Sequence, residues 1–241
     1  MLKSVVLFFA FTLNVFADFN SQVYKTQLLE VDDIYAYIQD SPQIRLYSSG
    51  VVVQSFENSK SIVARVRVIA KEDNRAKLEL SVFSDLEQKA LPVPNILPKQ
   101  GDEVVLNFLY DRALVIAPNE QSYHYITSAF KQIYFTHVDI FNAQLIRTSV
   151  SAPKRSDFRK FCADNALGIV VFALDTKAFF VDCQNFDVLD EVSIPLSTGA
   201  VLPFYSRIDG YKKFFLDFNS NEVTDYYKYY TTLIARNRLQ Q

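Results

Sequence analysis

Two histidines, His124 and His137, are the only side chains here whose ordinary titration could move a proton near neutral pH. His137-Val138-Asp139 is the more suggestive setting, since an imidazole beside a carboxylate can form an acid–base pair or contribute to a metal site. A helix start explains the same residues, because Asp139 in a first turn offsets the positive end of the helix dipole, and we adopt that reading. His124 lies between Tyr123 and Tyr125 and is read as having no acidic neighbour at helical spacing. The carboxylate pairs Asp32-Asp33, Glu72-Asp73 and Asp190-Glu191 could do hydrolytic work only in a cleft that raises one pKa, and their polar contexts point to solvated turns. Tyr226, Tyr227, Tyr229 and Tyr230 could form a platform for carbohydrate or peptide; a 3.6-residue period instead assigns most of them to a core and leaves Tyr229 exposed. The sequence contains no nucleophile elbow, Walker loop or His-Glu-x-x-His, and its five glycines leave little for cradling phosphate. No catalytic, cofactor or metal residue is assigned, and a non-enzymatic protein is expected.

Composition narrows the partners. With 241 residues, 49% hydrophobic and 22% charged, the chain has a globular make-up and enough length for one large domain or two small ones sharing a core. A formal charge of −2 supplies no basic field for nucleic acid or an anionic membrane surface. Residues 1–17 read as a signal peptide: Lys3 gives the positive end, 5–16 an apolar stretch, and Val15-Phe16-Ala17 a cleavage site before Asp18. A retained anchor is the alternative, although the apolar run is short for a bilayer, and no later segment is long and apolar enough to span one. Export would place Cys162 and Cys183, the only cysteines, in an oxidising compartment, which favours one disulfide over two buried thiols.

Positioning these residues falls to two patterns. Period two dominates first: a strand over 24–31, an irregular apolar patch at 35–37, and a longer strand over 45–56 with Gly50 marking a bend or bulge. Ile62, Ala64, Val66, Val68 and Ala70 then alternate with Arg65 and Arg67, and Ala76, Leu78, Leu80 and Val82 with Lys77 and Glu79, across a polar turn at 71–75. Matching the inward faces pairs Val68 with Leu78 and Val66 with Leu80, and sets Arg67 opposite Glu79. Pro92, Pro94 and Pro98 make 85–100 an irregular crossing. The run 101–119 reads as the last hairpin of this β module, turning at Asp111-Arg112, and as the hinge into an α/β module.

Helical spacing begins at Asn119, a candidate N-cap for Tyr123, Ile126 and Phe130. A second helix has capping-box spacing from Thr136 to Asp139, and a third starts at Pro153 with Phe158, Phe161 and Cys162 inward. Strands over 169–174, 178–182 and 186–194 form a meander, onto which the third helix could bring Cys162 over Cys183. Strands over 204–208 and 214–218 complete the sheet, and residues 219–222 cap a last helix. The expected fold is α+β: a small antiparallel barrel-like module of SH3-like or OB-like type over 18–117, then an α/β module with an antiparallel meander and C-terminal helix over 118–241, packed as one unit.

Several segments, in order, resemble a known family: Tyr47-Ser48-Ser49-Gly50-Val51-Val52-Val53, Ser61-Ile62-Val63-Ala64, Ala90-Leu91-Pro92-Val93-Pro94, the whole of 101–119, His137-Val138-Asp139-Ile140-Phe141, Phe161-Cys162, Phe180-Val181-Asp182-Cys183 and Leu202-Pro203-Phe204-Tyr205-Ser206-Arg207. Together they are similar to the N-terminal domain of the PgbA-type plasminogen-binding proteins of Gram-negative bacteria, from about residue 24 to the end of the sequence. The resemblance implies an exported, non-enzymatic protein of the periplasm or cell surface that captures host plasminogen, whose kringle modules recognise a lysine cation with a carboxylate. A structural or assembly protein that binds another envelope component is the alternative. The sequence closes on Gln241 without the terminal lysine such capture favours, and internal lysines beside acids, Lys71-Glu72 or Asp209 with Lys212 and Lys213, could stand in for it.

Overall fold

The computed structural model describes residues 19, 21–57, 59–83, 96–209 and 222–235. Seven strands come first: β1 (Tyr24–Gln27), β2 (Glu30–Asp32), β3 (Tyr35–Gln39), β4 (Ser49–Phe56), β5 (Ser59–Glu72), β6 (Arg75–Ser81) and β7 (Glu103–Leu106). They form one antiparallel sheet in the order β1-β7-β4-β5-β6-β3-β2. Its opposite edges, β1 and β2, are separated in the chain only by Leu28 and Leu29. Leu28 N donates to Asp102 O and Gly101 N to Leu28 O, both at 2.9 Å, while Leu29 N donates to Tyr37 O at 2.8 Å. The chain thus steps from one edge to the other in two residues, which requires the sheet to curl into a barrel-like form around Leu28, Ile38, Val52, Val66, Val68, Leu78 and Val104.

The alternation at the centre of this sheet places its register as expected. Val68 pairs with Leu78, Val66 with Leu80 and Arg67 with Glu79. The turn is tighter than the polar run suggests, since pairing continues to Glu72–Arg75 and leaves only Asp73 and Asn74, at φ 50° and 62°. Two left-handed residues match the twist of a two-residue hairpin, and Asp and Asn tolerate that conformation better than most side chains. Other details differ. The expected strand over 24–31 breaks at Leu28-Leu29, where the barrel closes, and the apolar patch at 35–37 is part of regular β3. Residues 45–48 precede the strand, and the register shift in β4 falls between Val52 and Val53, not at Gly50. Gly50 is required for another reason: a Cβ there would lie 2.4 Å from Val105 O.

The second sheet contains β8 (Arg112–Ile116), β9 (Tyr134–Thr136), β10 (Ile169–Leu174), β11 (Lys177–Asp182) and β12 (Val188–Ser193), in the order β12-β11-β10-β8-β9. The meander β10-β11-β12 is antiparallel as expected, but β8 pairs parallel with both β9 and β10. The anticipated hairpin across Asp111-Arg112 therefore does not form: β7 ends in the first sheet and β8 begins in the second. A turn prediction sees only two apolar runs and a polar break; the partners of β8 are β9, more than twenty positions downstream, and β10, more than fifty, which no local pattern reveals. Residues 204–208 form no strand either.

Helices α1 (Glu120–Ala129), α2 (Val138–Arg147), α3 (Arg155–Asn165) and α4 (Tyr226–Ala235) pack with this sheet. Phe172 pairs with Phe179, so Phe172 and Phe180 point to opposite faces. On one face Phe172 meets Phe158 and Tyr230, at ring-centre distances of 5.4 and 5.5 Å; on the other Phe180 stacks on Phe19 at 4.3 Å and meets Phe130 at 4.9 Å. Burial on both faces accounts for the uninterrupted apolar sequence of β10. Among the described residues no helix is long and apolar enough to cross a membrane. The proposed leader, residues 85–95 of the proline crossing, the expected strand at 214–218, cap residues 219–221, Lys212, Lys213 and the terminal 236–241 lie outside the described residues.

Candidate functional site

Three segments distant in sequence meet where the two sheets join. Ser49 opens β4, Tyr110 lies in the link between β7 and β8, and Asp182 ends β11. Asp182 Oδ2 accepts from Ser49 Oγ at 2.5 Å and Tyr110 Oη at 2.6 Å, while Oδ1 accepts from Gln184 N at 2.8 Å and Asn185 N at 3.0 Å. Tyr110 Oη in turn accepts from Ser49 N at 2.8 Å. The carboxylate is fully buried and has no cation in contact among the described residues, so these donors replace its hydration. Burial pushes Asp182 above its ordinary value against the opposing pull of the Ser49, Tyr110, Asn185 and Gln184 donors. Burial, reinforced by Asp182, holds the Tyr110 phenol well above its own.

Around this node the joint continues. Arg67 of β5 reaches Asp187 with Nε at 2.8 Å and Nη2 at 2.6 Å, and Asp187 is only 4% exposed at its side chain. The expected Arg67–Glu79 pair is present at 3.6 Å but is the looser contact. Arg45 pairs with Asp190 at 3.2 Å, and Asn185 Nδ2 donates to Tyr47 O at 3.1 Å. One glycine lies against the end of β7 and another against the link. Gly50 lies against Val105 and Leu106, and Gly168 against Phe108 and Leu109, where an added Cβ would fall 2.5 Å from Leu109 O. Sequence reasoning missed Ser49, Tyr110 and Asp182; the available signal was a carboxylate closing the otherwise apolar run 178–183.

The anticipated chemical residues serve other ends. His137 is the N-cap of α2, its Nδ1 accepting from Asp139 N at 3.2 Å, so Thr136 is the last residue of β9 and not a cap. Asp139 lies in the first helical turn, but its carboxylate also holds a neighbouring segment. Oδ1 accepts from Ser206 Oγ and Arg207 N, both at 2.9 Å, and Oδ2 from Arg207 Nε at 2.7 Å. Partial burial raises the Asp139 carboxyl, but the Arg207 and Ser206 donors outweigh it and bring it below its ordinary value. This anchors the segment after the cis Leu202-Pro203 bond onto α2.

His124 does have an acidic neighbour, Glu120 one turn earlier, at 3.5 Å on an exposed face. Asp33 and Asp73 are turn residues with φ near 50°. Asp190 and Glu191 separate, the first to Arg45 and the second to Lys177 at 2.8 Å. Tyr229 is half-buried rather than exposed, donating to Pro153 O at 3.1 Å, while Tyr226 is sealed in the core and bonds Ile116 O and Ala173 O. Asp111 and Arg112 are both exposed at the junction between the sheets. No cluster of metal-ligating residues exists among the described residues.

Cys162 of α3 and Cys183, just after β11, form the expected disulfide. Lys71, one candidate lysine, is tied down by Asp40 at 3.0 Å and by the carbonyls of Ser41 and Ile44. Exposed lysine–acid pairs remain: Lys160–Asp164 at 2.9 Å, Lys177–Glu191 at 2.8 Å, and Lys25 and Lys60 sharing Glu103 at 3.6 and 3.2 Å.

Fold and joint define an α+β protein in which a curled antiparallel sheet is locked to a mixed, helix-covered sheet by a buried polar node. The chain belongs to the family described as plasminogen-binding protein pgbA N-terminal, whose sequence model matches residues 23–234. It is 26% identical over 198 residues to the plasminogen-binding protein PgbA of Helicobacter pylori strain J99, and 25% identical over 198 residues to that of strain 26695. Each alignment covers 80% of this chain and 43% of the relative, so the chain spans less than half the length of the curated relatives it matches.

Proposed function

We propose that this chain is an exported, non-enzymatic protein of the Gram-negative cell surface that captures host plasminogen. The observation that carries the reading is the family match across residues 23–234, with relatives named for plasminogen binding. Two structural features support it. The Cys162–Cys183 bond is of a kind that oxidising compartments maintain. His137 caps a helix, His124 pairs with Glu120, Asp33 and Asp73 are turn residues, and Asp190 and Glu191 are in separate ion pairs. Plasminogen's kringle modules take a lysine cation together with a carboxylate, which exposed lysine–acid pairs supply.

The test is direct. Immobilised protein should retain plasminogen from solution, and an excess of a free lysine analogue should release it. Absence of retention sinks the plasminogen reading in favour of a role in binding another envelope component. Retention indifferent to the analogue sinks recognition through lysine.

A further inference from the structure

We propose that oxidation of Cys162 and Cys183 sets a catch on the joint between the two sheets. With the bond formed, the turn at 182–187 holds the first sheet; without it, the first sheet comes loose while each sheet stays folded. The inference is independent of what the protein binds.

Three residues that cross the joint lie in this one turn. Asp182 accepts from Ser49 Oγ and Tyr110 Oη, Asn185 Nδ2 donates to Tyr47 O, and Asp187 holds Arg67. Cys183 stands among them. Its N donates to Gly168 O at 2.9 Å, and its sulfur is bonded to Cys162 of α3. Arg159, three positions before Cys162 and on the same side of the helix, donates from Nε to Gln184 O at 2.7 Å. Helix α3 belongs to the second sheet, where its Phe158 meets Phe172 at 5.4 Å and both rings are fully buried. The turn is therefore staked to the second sheet through its backbone and Cys183, and bears on the first through its polar side chains.

Without the stake, the turn has reasons to relax. Phe186 holds a left-handed φ of 65°, a conformation unfavourable for a bulky side chain. Asp182 is fully buried with no cation in contact among the described residues, so closing the joint strips a carboxylate of water. These terms favour an open joint, and the contacts to Ser49, Tyr110, Tyr47 and Arg67 favour a closed one. A covalent tie within the turn removes the arrangements in which the turn relaxes and the joint parts. Parting need not unfold either sheet, because their cores are separate clusters: one contains Leu28, Val66 and Leu78, the other Phe172, Phe180 and Tyr230.

The covalent step is a thiol–disulfide exchange. The two thiols give two electrons and two protons to an oxidant disulfide, which leaves as a dithiol, and one sulfur–sulfur bond forms between 162 and 183. Where the chain is exported, as proposed above, this step follows transport, and the sheets lock together only outside the cytoplasm.

The experiment follows amide hydrogen exchange in the purified oxidised chain, in the chain refolded under a dithiol reductant, and in C162A/C183A. The Ser49 amide, which donates to Tyr110 Oη at 2.8 Å, reports the joint; amides of the β5–β6 and β10–β11 pairs report the two sheets. Loss of the bond should speed exchange at Ser49 roughly tenfold or more and leave the sheet amides unchanged. R67Q should speed exchange at Ser49 in the oxidised chain and add little in C162A/C183A, as expected of two changes that open one joint. Unchanged exchange at Ser49 overturns the catch, since the bond then steadies α3 alone. An equal rise at Ser49 and in either sheet overturns it too, since the bond then supports the fold as a whole.

Discussion

Asp182 illustrates what a single residue can do once the chain is folded. Its carboxylate is sealed from water, without a cation in contact among the described residues, and is kept in place by donors from Ser49, Tyr110 and the backbone at 184 and 185. Removing it leaves those donors buried without an acceptor, and each orphaned group costs about 1–3 kcal/mol. Asp182→Ala should therefore lower the unfolding free energy by about 3 kcal/mol or more, measured by chemical denaturation. A loss below about 1 kcal/mol would mean that water enters the node and that the two sheets are not held through it. Asp182 was legible only as part of a recognisable motif, since neither the serine nor the tyrosine that binds it lies within sixty positions of it in the sequence.

Elements follow local pattern where the pattern is strong. The β5–β6 hairpin keeps the expected register because slipping it by one residue would turn Arg65, Arg67, Lys77 and Glu79 toward the barrel interior. Helices α1 and α3 lie where their spacing places them, and α3 carries Cys162 to Cys183. Closing a loop with a separation of 21 residues restricts the unfolded chain. Reduction should therefore cost about 3 kcal/mol on chain-entropy grounds, read as a lower denaturant midpoint in the presence of a thiol reductant. An unchanged midpoint would place the stability of α3 in its phenylalanines alone. Elements whose boundaries depend on distant partners were misjudged: residues 24–32 bend to close the barrel, and residues 204–208 are tied to Asp139 instead of extending a sheet.

Across the molecule, the two sheets are joined by a buried carboxylate, an Arg67–Asp187 ion pair and a link packed closely against Gly168. Such a joint holds the two sheets in a fixed relation. Capture of a host protein requires that the protein be outside the cell. Protease added to intact cells should remove the protein and abolish plasminogen retention together. Complete protection, with digestion only after the outer membrane is opened, would place it in the periplasm and favour an envelope partner.

Neighbouring residues were enough to establish the α+β class, the central hairpin register, the helix starts at Asn119 and near His137, and the family, because period, capping chemistry and ordered motifs are local properties of a chain. The pairing of Cys162 with Cys183 is the natural expectation from two cysteines in a chain read as exported. Folding in three dimensions was needed to establish that residues 101–119 connect two sheets instead of forming a hairpin, that Gly50 and Gly168 make room for that connection, and that Ser49, Tyr110 and Asp182 converge beside it. Sheet partners and buried polar contacts are chosen among segments far apart in the chain, by which surfaces can be buried together and which donors then lack water.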